Sequence, residues 1–164
     1  MWTTLASEAA EESPLWAEAL LPRAERQLVP VFSPLGDERY ALGLETIYEG
    51  YLLHYGTPRL FAPAERHTAL LLGDYLYAHG LVRIAAWQRV EAVADLAALI
   101  SLCAQLRAEG GAGDGEAWAA TAALLGRGPL FETRDAAAHG AAARAAAGDE
   151  AVDRALAAHA ARVG

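Results

Sequence analysis

The sequence predicts an all-α protein, a helical bundle, on three observations. Apolar residues recur at three- and four-residue spacing through the long segments 38–55 and 64–90, the period of a helix with a buried face. No run alternates apolar and polar residues as a half-buried strand would. The final third is rich in alanine, the strongest helix former.

The elements follow in order. Residues 1–13 are polar and acidic and are read as a flexible lead-in to a single helical domain over 14–164. Ser13-Pro14 is a helix start, with serine at the cap and proline in the first turn. A short helix carrying Leu15, Trp16, Ala19 and Leu20 ends before Pro22, and a second short piece over 23–29 ends at Pro30. Ser33-Pro34-Leu35-Gly36-Asp37 is turn chemistry. A helix from 38 to about 54 or 55 places Leu44, Ile47, Tyr48, Tyr51 and Leu52 at helical spacing, and Gly56-Thr57-Pro58 stops it. Pro63 and Ala64 open a long helix to 90, apolar over most of its circumference and therefore central. A break at 87–89 separates it from a helix over 91–109. Residues 110–115 form a glycine-rich linker. The alanine-rich segment 116–164 then divides into helices over 116–125, 130–147 and 149–162, with a turn at 126–129.

Composition excludes several functions. The 164 residues are 54% hydrophobic, enough for a packed core. The net charge is −8 and all thirteen cations are arginine, scattered along the chain. Nucleic-acid binding needs clustered cations, so no nucleic-acid role is expected. The longest apolar runs lie close to Asp74, Arg83 or Asp95, so no membrane span is expected. The first twelve residues lack the basic and apolar regions of a signal peptide. The single cysteine, Cys103, lies in an apolar run and is read as a buried small hydrophobe. A cytoplasmic location is the expectation. The glycines of 110–115 do not make a phosphate loop, because the pattern requires a lysine and the chain has none.

Two segments carry a resemblance. Ala41 to His54, reading ALGLETIYEGYLLH, resembles the helix of polyprenyl synthetases that leads into their first aspartate-rich motif, with Glu45, Ile47, Leu52 and His54 in register. Ala69 to Ala78, reading ALLLGDYLYA, resembles the Gly-Asp-Tyr-Leu signature of the core helix that follows. The chain is therefore similar over 40–107 to the front of a trans-isoprenyl diphosphate synthase, and the resemblance implies a shortened isoprenoid synthase fold. In active members, D-D-x-x-D follows the histidine and holds magnesium against the allylic diphosphate. Here Tyr55-Gly56-Thr57-Pro58 follows His54, and no aspartate occurs between Asp37 and Asp74. The family's basic diphosphate-binding segment is reduced to Gly56-Thr57-Pro58-Arg59. Glu132-Thr133-Arg134-Asp135 does not resemble a second aspartate-rich motif. The layout is closest to the non-catalytic small subunit of heterodimeric hepta- and hexaprenyl diphosphate synthases.

Several residues are singled out. Asp74 sits among apolar helical neighbours and is read first as a buried structural carboxylate, with ligand binding and an interface as alternatives. Glu45 and Glu49 form an i,i+4 pair that could chelate a cation, although a solvated or arginine-paired face is the plainer reading. Arg59 and Arg66 flank the shortened loop and could grip a phosphate, against the plainer reading of surface arginines. Tyr48 and Tyr51 could floor a prenyl cavity or simply fill core. His54 is read as a capping or core histidine. His139 and His159 are read as exposed, and no histidine spacing suggests a metal pair.

The resemblance implies no catalytic residue and no cofactor. It implies association, as a homodimer or as a heterodimer with a catalytic prenyl diphosphate synthase. The alternatives are a non-catalytic binder of a prenyl or other apolar ligand, and a divergent magnesium-dependent prenyltransferase that would use Glu45, Glu49 and Asp74.

Overall fold

The computed structural model describes residues 1–127 and 135–163. Among them are eight α-helices and no strand, and the fold is an all-α bundle. The helices are α1 (Trp2–Glu12), α2 (Pro14–Glu18), α3 (Ala41–Tyr55), α4 (Arg66–Ala85), α5 (Val90–Glu109), α6 (Asp114–Leu124), α7 (Ala136–Ala147) and α8 (Asp149–Val163). No helix among the described residues is long and apolar enough to cross a membrane.

The first thirteen residues are not a flexible lead-in. Residues 2–12 form α1, because Leu5, Ala6 and Ala9 make an apolar stripe that is buried. They pack with Ala19, Leu53, Leu60, Phe61, Leu72 and Leu76 in a core of their own. Glu8 pairs with Arg83 of α4 and lies 3.8 Å from His79. Ser13 caps α2 as its sequence indicates, accepting from the Leu15 N–H with Pro14 in the first turn. The short piece expected over 23–29 holds a 3-10 turn, Arg23–Glu25.

The larger core lies around α3. Leu44, Tyr48 and Tyr51 of that helix pack with Phe32, Leu96, Leu99, Trp118 and Val152. Eleven residues of α3 are buried, more than half its length, so α3 is the central helix and the role expected of α4 falls to it.

Helices α3 and α4 are antiparallel and touch through glycines. A Cβ on Gly50 would lie 2.8 Å from the Gly73 carbonyl oxygen, and one on Gly80 would lie 2.3 Å from Cγ1 of Ile47 and 3.0 Å from the Gly43 carbonyl oxygen. No side chain fits between the two backbones. The glycine of the Gly73-Asp74 pair is thereby explained, because a Cβ there would meet the His54 ring 2.6 Å away. The approach leaves no room for a cavity where these glycines meet.

The break between α4 and α5 lies where expected, with Gln88 at φ 55. The linker is shorter than 110–115, since Asp114 and Gly115 already belong to α6. Gly110 and Gly113, at φ 67 and φ 107, close α5 and open α6 in a region that L side chains avoid. The turn at 126–129 and the helix from 130 fall partly on 128–134, outside the described residues; α7 is described from Ala136.

Candidate functional site

The two glutamates of α3 end in one buried ion cluster. Glu45 and Glu49 lie four residues apart on one helix face, and Arg59 enters between them from the loop that follows. The exposures are 1%, 0% and 0%, so of the two plainer readings of the pair the arginine-paired one is found and the solvated one is not, and Arg59 is not a surface arginine. Arg59 Nε donates to Glu49 at 3.0 Å, and Nη1 donates to Glu45 and, at 3.1 Å, to the Val29 carbonyl. The second Glu49 oxygen accepts the N–H groups of Arg59 and Leu60, at 2.8 and 2.7 Å. The second Glu45 oxygen accepts those of Val31 and Ser33, at 3.1 and 3.0 Å. The guanidinium also lies over the rings of Trp2 and Tyr48, at 4.6 and 4.9 Å. Burial opposes the Arg59 charge, but the two carboxylates outweigh it and hold its pKa above the ordinary arginine value.

This cluster does not fit a magnesium site. All four carboxylate oxygens are engaged by Arg59 or backbone N–H groups, and the arginine occupies the position a cation would take. Among the described residues no group of three or more His, Cys, Asp or Glu side chains is placed to hold a metal ion.

The remaining sequence candidates separate. Asp74 lies on the outer face of α4 with its side chain 70% exposed, not buried as its apolar neighbours suggested, because that outer face is itself apolar. Its carboxylate stands 3.1 Å from Nε2 of His54. Burial lowers the His54 pKa against the pull of Asp74. Arg66 donates to the carbonyls of Leu53 and His54, at 3.3 and 3.0 Å, closing the C-terminus of α3. It borders a cleft of about 660 Å³ floored by Leu53, Phe61 and Ala69, and the rim also carries Glu25 and Glu65. Two carboxylates there oppose a diphosphate. Tyr48 and Tyr51 are fully buried and border no such cleft. They fill the core, and burial raises the pKa of both.

A second polar cluster was not legible in the sequence. Tyr51 donates its hydroxyl to Asp114, and Arg107 donates to the same carboxylate oxygen through Nε at 2.9 Å and Nη2 at 2.6 Å. His159 Nε2 stands 3.5 Å from that oxygen, while its Nδ1 lies 3.0 Å from the Tyr48 hydroxyl. His159 and His139 are buried, at 4% and 5%, rather than exposed. The alanine-rich context hid this, because small neighbours let α7 and α8 come close enough to cover both rings. The cluster joins α3, α5, α6 and α8, and it explains why Tyr48 and Tyr51 are tyrosines in a core position.

Burial works against the Asp114 charge, but the nearby His159, the hydrogen bond from Tyr51 and the charge of Arg107 prevail and hold its carboxyl far below the usual range. A depressed carboxylate pKa contributes stability that is complete above the unfolded value, 3.8, and is lost as pH falls below it toward the native value. Asp114→Asn is therefore expected to lower stability by about 1–3 kcal/mol at neutral pH. Urea denaturation should show the gap between wild type and variant narrowing as pH drops below the unfolded value. A gap that stays constant would show that the ionised form is not what stabilises the cluster.

Comparisons of the chain with family models, with curated proteins and with solved structures found no match.

Proposed function

We propose that this chain is a catalytically incomplete polyprenyl synthetase-like protein that acts by association, as the regulatory or small subunit of a prenyl diphosphate synthase. The observation that carries the reading is the outer face of α4 and α5. Leu71, Val82, Trp87 and Val90 are 55%, 68%, 52% and 77% exposed. Ala78 and Ala85 lie between Leu71 and Trp87 in sequence and are exposed on α4, and Ala94, Ala97, Ser101 and Ala104 are exposed on α5 at three- and four-residue spacing. An apolar strip of this kind on a helical bundle marks a contact surface, and its small residues allow a facing helix to approach closely.

The polar groups support association over chemistry. Glu45 and Glu49 are committed to Arg59, and Asp74 stands alone beside His54 at the edge of the strip. The strip also lies on the helix that carries the Gly73-Asp74-Tyr75-Leu76 resemblance, so the partner proposed is a full-length polyprenyl synthase presenting its corresponding helices.

Coexpression with a chain-elongating synthase from the same genome tests this. The expected result is a complex on size exclusion and a changed product length. Leu71→Asp and Val82→Asp, both at exposed positions, should weaken the complex by roughly a hundredfold together, as two contact-centre losses of about 1.4 kcal/mol each imply, with helicity unchanged. No complex and no effect on product length would remove the subunit reading. A dimer of this chain alone, broken by the same variants, would replace it with a homodimer.

A further inference from the structure

We propose that the groove between α1 and residues 20–28 is a binding site for a free, single-chain amphiphile with an anionic head. The groove encloses about 410 Å³, within the range of small-molecule sites. Trp2, Ala6 and Ala10 of α1 recur every four residues and so line one face of the helix. Leu20 and Leu28 face them from the crossing segment. The two alanines leave room between the bulkier Trp2 and Leu28, and Thr3 and Ser7 complete the α1 side of this largely apolar groove.

The head group is chosen by charge. Arg23 and Arg26 both border this groove, and no aspartate or glutamate does. That is unusual in a chain of net charge −8. The 660 Å³ cleft on the other side of the same segment carries Glu25 and Glu65, so the segment turns its cations one way and a carboxylate the other. Arg26 is held by its Nε, which donates to the Leu21 carbonyl at 2.8 Å. Its two terminal nitrogens remain for a ligand. Arg23 has no partner among the described residues. Two guanidinium groups bordering a largely apolar groove match a carboxylate or phosphate on an alkyl or prenyl chain.

The occupant is a monomer in solution and not a bilayer. A helix that lies on an anionic membrane carries cations along its polar face, whereas α1 carries Glu8, Glu11 and Glu12 and no arginine. The groove lies apart from the exposed α4–α5 strip, and the proposal does not depend on association through that strip.

Isothermal titration of the full chain with dodecyl phosphate, kept below its micelle concentration, tests the site. Inorganic phosphate, dodecyltrimethylammonium and vesicles of phosphatidylglycerol are run beside it. Saturation at one dodecyl phosphate per chain is expected, with no heat from inorganic phosphate and no sedimentation with vesicles. The cationic amphiphile should bind roughly tenfold more weakly or worse, the loss of one charge-assisted contact. Arg23→Glu reverses a charge at an exposed, unpartnered position, and Ser7→Trp fills the groove from the exposed side of α1. Each should weaken dodecyl phosphate binding roughly fivefold or more while circular dichroism stays unchanged. The proposal is overturned by an absence of binding, by equal affinity for the two amphiphiles, by full affinity in both folded variants, or by partition into vesicles.

Discussion

Arg59→Met is expected to destabilise the protein by about 3–5 kcal/mol, the loss seen when one member of a buried ion cluster is removed. For a chain of this length that is a fall in melting temperature of roughly 6–20 °C. The reason is asymmetry. Methionine fills the space beneath Trp2 and Tyr48, so little packing is lost. Two carboxylates nevertheless remain in a site that is about as buried as any in the molecule. Each still accepts two backbone N–H groups, which fastens it where water does not reach. The cluster carries one more negative charge than positive, and removing the only cation doubles that excess. A second measurement separates charge from shape: in a Glu45→Gln, Glu49→Gln background the same Arg59→Met change should cost much less. Urea unfolding of the four proteins completes the cycle. An Arg59→Met loss within about 1 kcal/mol, the value of an exposed pair, would mean that the cluster is solvated.

Trp118→Ala should cost a similar amount, about 3–5 kcal/mol, as for other buried tryptophans. Trp118 is 1% exposed. Its ring stacks on Phe32 at 5.6 Å and an interplanar angle of 15°, and meets Tyr48 and Tyr51 edge-on at 5.1 and 5.6 Å. These contacts come from two separate parts of the chain, the segment of Phe32 and helix α3, so the cavity left by alanine cannot close by moving one element. Trp87→Ala is the control, since that side chain is half exposed and its loss should lie within about 0.5 kcal/mol. Thermal unfolding followed by near-ultraviolet dichroism reads both. Equal effects at the two positions would contradict the core described around α3.

Much of the architecture was legible because it is local. Helix periodicity located α3, α4, α5 and α8 to within a few residues, and Ser13-Pro14 marked the start of α2 through a bond only two residues long. The misses have physical causes. Residues 1–13 looked flexible because they are polar and acidic with few large apolar side chains, yet Leu5, Ala6 and Ala9 suffice for a buried stripe once α4 supplies a surface. Asp74 looked buried because its neighbours are apolar. Periodicity reports that a face is apolar, not whether anything covers it.

The sequence by itself determined the all-α class and the order of the helices from α2 to α6. These follow from backbone preferences and from spacing along one helix. Tertiary structure alone decided the fate of the charged groups. Arg59 reaches Glu45 and Glu49 from 14 and 10 residues away, and His159 reaches Tyr48 across 111. A carboxylate pair at i and i+4 reads the same whether it awaits a metal, a guanidinium or water. Which of them it receives depends on the loop that folds back over it, and no local pattern encodes that.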